Sequence, residues 1–297
     1  MSEPVLVHGH RASFLTAGRP DGRPVLLLVH GLAGDKHTWD PVLDRLGEHA
    51  YVLAPDLPGH GDAEEAGGDC SIPGYAAYLR DLLRVLGVSR VTVVGHSLGG
   101  GIAMQMTYLF PDLVSRLVLV DAGGLGPEVS LALRAATLPG AELVLPVISS
   151  PPVRALARWT GQVLTAVGAP PRPGVVELGR GVGLLARASS RRSFLRTVRT
   201  SVSLHGQAVD ARDRLYLTAL LPTLVVWGAR DAIIPVQHGA AMHEAAPGSE
   251  LEVLEQAGHF PHVDEPVRFT RLVVSFLERT HAATITDADV AALLGSA

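Results

Sequence analysis

The chain has 297 residues, 29 acidic against 25 basic, and one cysteine. That length suits one large α/β domain with an insertion or two ordinary domains. Its 47% hydrophobic and 18% charged content describes a filled globular core and excludes a disordered chain. A net charge of −4 gives no broad pull towards nucleic acid or an anionic membrane. Lone Cys70 permits neither an intrachain disulfide nor a cysteine metal site. Met1-Ser2-Glu3-Pro4 lacks the basic and apolar stretches of a signal peptide, and no run approaches the roughly 18 apolar residues of a membrane span. The expectation is a cytoplasmic protein that acts on a small molecule, with neither nucleic acid nor membrane as partner. Of the basic residues only Lys36 is a lysine; the 24 arginines, spread along the chain, read as a bias towards GC-rich codons.

In chain order, His8-Gly9-His10 opens as a surface strand with both imidazoles on one face, a metal pair that no nearby carboxylate or cysteine completes. Val25–Val29 is a continuous apolar run, followed by similar runs at Tyr51–Ala54, Val91–Val94 and Leu117–Val120. Runs apolar on both faces suit parallel strands covered by helices on both sides. Tyr75, Leu79, Leu82, Leu83 and Leu86 recur at helical spacing, and Gly87 ends that helix. The alternation breaks at Gly123-Gly124. From Gly124 to Arg214 the chain is rich in Pro, Gly, Ala, Leu and Arg, without a clear strand, and prolines cut it into short helices; its arginine-rich stretch from Arg187 to Arg199 reads as a solvated helix face. Strand patterns return at Thr223–Trp227 and Glu250–Leu254. An amphipathic helix follows over Pro266–Glu278, with Asp264 as its N-cap, and a weak last helix begins at Thr286. The predicted organisation is a core of residues 1–123 and 215–297, interrupted by a helical insertion of residues 124–214.

Gly95-His96-Ser97-Leu98-Gly99 matches G-x-S-x-G between a strand run and a helical one. A nucleophile on a sharp strand-to-helix turn needs small neighbours, and the following helix aims its N–H groups and dipole at developing negative charge. Serine is a weak nucleophile on its own, so a base and an orienting acid must lie elsewhere in the chain.

With its other motifs the sequence resembles the α/β-hydrolase superfamily over nearly its whole length. His30-Gly31-Leu32-Ala33-Gly34 stands where that family has its oxyanion loop, and Asp56-Leu57-Pro58-Gly59-His60-Gly61 matches its D-x-x-G-x-G turn. Trp227-Gly228-Ala229-Arg230-Asp231 looks like the acid position, and Gly258-His259-Phe260-Pro261 like the base. The order Ser97, Asp231, His259 is the family's order.

The resemblance implies an α/β-hydrolase fold: a mostly parallel eight-stranded sheet with helices on both faces and a helical cap over the serine. It implies Ser97 as nucleophile, His259 as base and Asp231 as the acid that fixes the histidine tautomer, with the N–H groups of Leu32 and Leu98 as oxyanion hole. His262 is the alternative base and Asp121 the alternative acid; loop bracing is the simpler role for Asp121, Asp56 and Asp62. No cofactor and no metal are implied. A serine at the elbow argues against epoxide opening and dehalogenation, for which family members generally use aspartate. The activity implied is cleavage of a carboxylic ester, thioester or lactone of an apolar substrate. A C–C bond hydrolase of vinylogous diketones and a non-catalytic ligand-binding homologue are the alternatives.

Overall fold

The computed structural model describes residues 4–64 and 69–295. Eleven strands occur among them: β1 (Leu6–Val7), β2 (His10–Arg11), β3 (Phe14–Ala17), β4 (Val25–Val29), β5 (Tyr51–Pro55), β6 (Val91–His96), β7 (Val114–Val120), β8 (Val202–Ser203), β9 (Gly206–Gln207), β10 (Thr223–Gly228) and β11 (Ser249–Leu254). The central sheet has the order β11-β10-β7-β6-β4-β5-β3, parallel throughout except for β3, which runs antiparallel to β5.

The sheet is therefore seven-stranded among the described residues, not eight-stranded. The N-terminal segment does not extend its edge, because His8 and Gly9 take positive φ values of 53° and 82° and fold β1 back onto β2 as a separate hairpin. This also corrects the strand expected at His8-Gly9-His10. The two imidazoles go to different carboxylates, His8 to Asp81 at 2.9 Å and His10 to Glu64 at 3.2 Å.

Both faces of the sheet are covered, as the uninterrupted apolar runs require. Leu27, Val29, Val93, Leu117, Leu119 and Val225 point to one core, with α2 (Ile72–Val85) and α3 (Leu98–Leu109). Their alternates Leu26, Leu28, Val94, Val118, Val120 and Leu224 point to the other, with α1 (Asp40–Gly47) and α11 (Pro266–Arg279). Strand periodicity of two sorts one sequence run into two cores. Gly87, at φ 71°, ends α2 in the left-handed region, with Val88 N–H donating to the Leu83 carbonyl.

Between β7 and β10 lie α4 (Leu131–Ala135), α5 (Ala141–Ile148), α6 (Pro151–Ala166), α7 (Pro173–Leu184) and α8 (Ala188–Ser201). Pro151 and Pro173 start helices, where their missing N–H costs nothing, while Pro146 sits inside α5. Two-residue strands β8 and β9 also form here; they are too short to leave a periodic signal, and only Gly206 at φ 134° marks their turn. Ala141, Leu145, Leu185, Phe194, Leu195 and Val198 give this segment a small apolar cluster of its own, packed against Leu32 and Ala33. The arginine-rich stretch presents a solvated helix face, as its sequence suggests: Arg187 and Arg199 are exposed and reach the exposed carboxylates of Asp62 and Glu142.

After β10 come α9 (Gln237–Ala245), the short α10 (Pro261–Asp264), α11 and α12 (Asp287–Leu294), the last opened by a Thr286–Asp289 capping box. Asp264 does not cap α11. Its carboxylate accepts from Gly258 N at 2.8 Å and Gly174 N at 2.7 Å, tying the loop before His259 to the start of α7. No helix among the described residues is long and apolar enough to cross a membrane.

Candidate active site

Ser97, Asp231 and His259 all follow the C-terminal ends of parallel strands, β6, β10 and β11, the end at which open α/β sheets gather their ligands. Ser97 adopts φ 55°, ψ −116°, a conformation side chains rarely take, and its carbonyl accepts from the N–H groups of Gly100 and Gly123. The glycines around it are required by contact. A Cβ on Gly95 would lie 2.2 Å from the Gly99 carbonyl oxygen, and one on Gly99 would lie 2.2 Å from that of Val29. Gly99→Ala is therefore expected to cost about 3 kcal/mol, the upper end of overpacking penalties, because the obstruction is backbone of the adjacent strand. The urea midpoint of unfolding measures it.

His259 Nδ1 lies 2.8 Å from Asp231 Oδ2, with both side chains buried or nearly so. The other carboxylate oxygen, Oδ1, accepts from Ile233 N at 2.7 Å and Ile234 N at 3.1 Å. Held by two backbone donors, the carboxylate accepts an Nδ1 proton of His259 as its third bond, and Nε2 is the ring nitrogen turned away from it. Neither His259 Nε2 nor the Ser97 hydroxyl is hydrogen-bonded among the described residues; Ser97 and His259 are each 9% exposed. The N–H groups of Leu32 and Leu98 likewise donate to no protein acceptor among the described residues. Leu32 is brought to the serine by Gly31, where an added Cβ would lie 3.0 Å from Ser97 Cβ.

Both alternatives for acid and base sit close by in other roles. Asp121 is fully buried, at φ 43°, and accepts from Gly228 N at 2.9 Å, bracing the end of β10. Burial, and then the neighbouring Asp231 charge, push its carboxyl well above the usual carboxylate range. His262 faces Thr38 Oγ1 at 3.4 Å and stacks against Trp39. Burial lowers it to about 3, with His259 adding to the effect, and it has no carboxylate partner among the described residues.

Two histidines that the sequence offers only as neighbours turn out to hold loops. His96, the variable residue of the elbow, donates from Nε2 to the His259 carbonyl at 2.6 Å, and burial keeps it neutral. His30 donates from Nδ1 to the Gly31 carbonyl at 2.9 Å and accepts Leu57 N at Nε2, joining the Leu32 loop to the Asp56 turn. Their signal in the sequence is adjacency to the motifs alone, which gives no partner.

His96, Asp121 and His259 also offer ligand atoms within 4.8 Å of one another. One nitrogen of each histidine is already bonded, to the His259 carbonyl and to Asp231, and burial disfavours the charged form of the carboxyl. That donor set suits proton transfer better than a cation.

The alpha/beta hydrolase family model matches residues 26–272. An uncharacterized protein of Mycobacterium tuberculosis (strain ATCC 25618 / H37Rv) is 42% identical over 295 residues, covering 97% of this chain and 84% of that protein. A 2-hydroxy-6-oxononadienedioate/2-hydroxy-6-oxononatrienedioate hydrolase of Pseudomonas sp is 26% identical over 265 residues, 87% of this chain and 89% of that one. A monoacylglycerol lipase of Homo sapiens is 26% identical over 275 residues, 89% of this chain and 78% of that one. With the sheet order, the strained serine and the matched 26–272 region in agreement, the chain belongs to the alpha/beta hydrolase family.

Proposed function

We propose that the protein is a serine hydrolase that cleaves a carboxylic ester, thioester or lactone with an apolar acyl or alkyl part. Ser97 Oγ attacks the carbonyl carbon while His259 Nε2 takes its proton. The N–H groups of Leu32 and Leu98 receive the oxyanion, and collapse expels the alcohol, which takes the proton from His259. Water then repeats the sequence on the acyl-enzyme. Residues 124–214 serve as a cap that keeps water from the serine.

The observation that carries this reading is the 2.8 Å bond from His259 Nδ1 to Asp231, which leaves Nε2 without a protein partner at the strand end that also carries the strained Ser97. In resting sites the serine–histidine bond is often long and tightens only with substrate. The apolar composition of residues 124–214 supports an apolar substrate. Arg180, the cation over the Leu32 loop, is already engaged by Asp35 and Glu177, so a doubly charged diketone finds no free partner in it.

A fluorophosphonate probe tests the proposal, because its phosphorus takes only an activated serine oxygen and releases fluoride. One adduct is expected, on the peptide containing Ser97, with matching loss of p-nitrophenyl butyrate hydrolysis. No adduct, or an adduct on another residue, would reject the nucleophile and favour a ligand-binding protein.

A further inference from the structure

Thirteen of the 22 exposed large apolar side chains among the described residues fall between Leu143 and Leu178, on α5, α6 and α7. Clustering of this kind marks a surface that meets another apolar phase, whereas single exposed residues need no explanation. Helix α6 is the extreme case: none of its 16 residues is buried, although it packs against α5 and α7. Along it Leu156, Trp159 and Val163 recur at helical spacing, 61%, 61% and 41% exposed, with Leu143, Val147 and Val175 exposed on the neighbouring helices.

Charge on this segment is mostly positive. From Ala141 to Leu184 the chain holds four arginines, Arg154, Arg158, Arg172 and Arg180, against two acids, Glu142 and Glu177, which are paired with Arg199 and Arg180. Arg158 and Arg172 have no carboxylate partner among the described residues. The whole-chain charge of −4 hides this local cationic face. An apolar stripe carrying a tryptophan, flanked by arginines and too short to span, is the composition of a helix that lies in a lipid interface.

We infer that the α5–α7 face docks on an anionic lipid surface, with Leu156 and Trp159 among the acyl chains and Arg158 and Arg172 at the phosphates. Helix α7 also rests on the oxyanion loop, with Arg180 bonded to Asp35 at 2.8 Å. Docking therefore sets the lipid beside the cover of Ser97. The inference does not depend on hydrolysis, and ether-linked lipids keep the two separate.

Trp39 and Trp227 are fully buried, so a lipid-induced change in tryptophan emission reports on Trp159. The full chain is sedimented with vesicles of ether-linked phosphatidylcholine, with and without two-fifths ether-linked phosphatidylglycerol. Expected are co-sedimentation with the anionic vesicles, a blue shift of emission and weakening by salt. Leu156→Asp/Val163→Asp and Arg158→Glu/Arg172→Glu are each expected to bind about tenfold more weakly at unchanged Tm. These positions are exposed, so their loss reads binding and not folding. Equal binding to both vesicles, no binding, or variants that bind like the parent overturn the inference. So does a dimer in sedimentation velocity that Leu156→Asp/Val163→Asp converts to monomer without any vesicle binding, which would assign the face to a second copy.

Discussion

Asp231→Asn is expected to lower kcat for a p-nitrophenyl ester by about 10⁴-fold with KM little changed, and Ser97→Ala by about 10⁶-fold. The first loss follows from the bonds around the carboxylate. Its Oδ1 is committed to the N–H groups of Ile233 and Ile234, so an asparagine keeps its carbonyl oxygen there and turns its amide towards His259. An amide N–H facing Nδ1 selects the opposite tautomer, with the proton on Nε2, and the imidazole no longer accepts from Ser97. Asp121→Asn is the control. Burial disfavours charge on that side chain, which accepts from Gly228 N, and an asparagine supplies a neutral acceptor there, so its activity should stay within about tenfold of the parent. Steady-state kinetics on the three variants, with Tm confirming their folds, decide between the two acids. A large loss in Asp121→Asn beside a mild one in Asp231→Asn would exchange their roles.

The loops that carry Asp231 and His259 are anchored from both sides. His96 holds the carbonyl of His259 from the residue next to Ser97, and Asp264 holds the N–H of Gly258 on the other side. His30 holds the Leu32 loop from within. Each is a buried polar side chain with a backbone partner, so displacing one leaves an unpaired group and costs more than the bond itself contributes. The same economy reaches the α7 region: Asp264 accepts Gly174 N and Asp35 accepts Arg180, so the loops beside Ser97 and His259 also hold α7.

Much of this was legible in the residues. The two-faced apolar runs gave the parallel sheet, and the spacing of Gly95, Ser97 and Gly99 gave a turn whose crowding the contacts at 2.2 Å explain. The positions of Ser97, Asp231 and His259 followed from local motifs, each with a strand before it. What escaped the sequence is whatever depends on a partner far along the chain. Asp264 stands where a cap belongs, before Glu265 and Pro266, yet its partners are six residues before it and ninety residues away. The hairpins at His8-Gly9 and at Gly206 have two-residue strands, below the length at which alternation is detectable. Exposure of α6 was unreadable for another reason: an apolar stripe looks the same whether it meets the core or solvent.

Lys36 is the clearest instance, and replacing it carries the largest expected loss of stability. The only lysine among 25 basic residues is almost fully buried. Its Nζ donates to Asp56 at 2.7 Å, Asp62 at 2.8 Å and Ser13 Oγ at 3.0 Å. Three donors on one compact ammonium fit that cradle, whereas a planar guanidinium has its donors in a fixed fork. Lys36→Met leaves Asp56 buried without its counter-charge and is expected to cost about 3–5 kcal/mol, and Lys36→Arg to recover little of it. Asp62→Asn removes a largely exposed partner and should cost about 1 kcal/mol or less. The pH dependence has a definite sign. Burial alone would raise the Asp56 carboxyl, but Lys36 outweighs it and holds it below the usual carboxylate range. Its contribution is thus present above the unfolded-state value and is lost as pH falls through the folded one. In Lys36→Met that carboxyl takes up its proton at higher pH, so urea unfolding should show the gap between parent and variant narrowing as pH is lowered from 7 towards 4. Burial would also lower Lys36, but its hydrogen bonds to Asp56 and Asp62 outweigh it, and the same clasp weakens at the alkaline end as pH rises through the raised lysine value. A gap that is constant with pH, or a Lys36→Arg variant as stable as the parent, would show that the ammonium is not what the cradle holds.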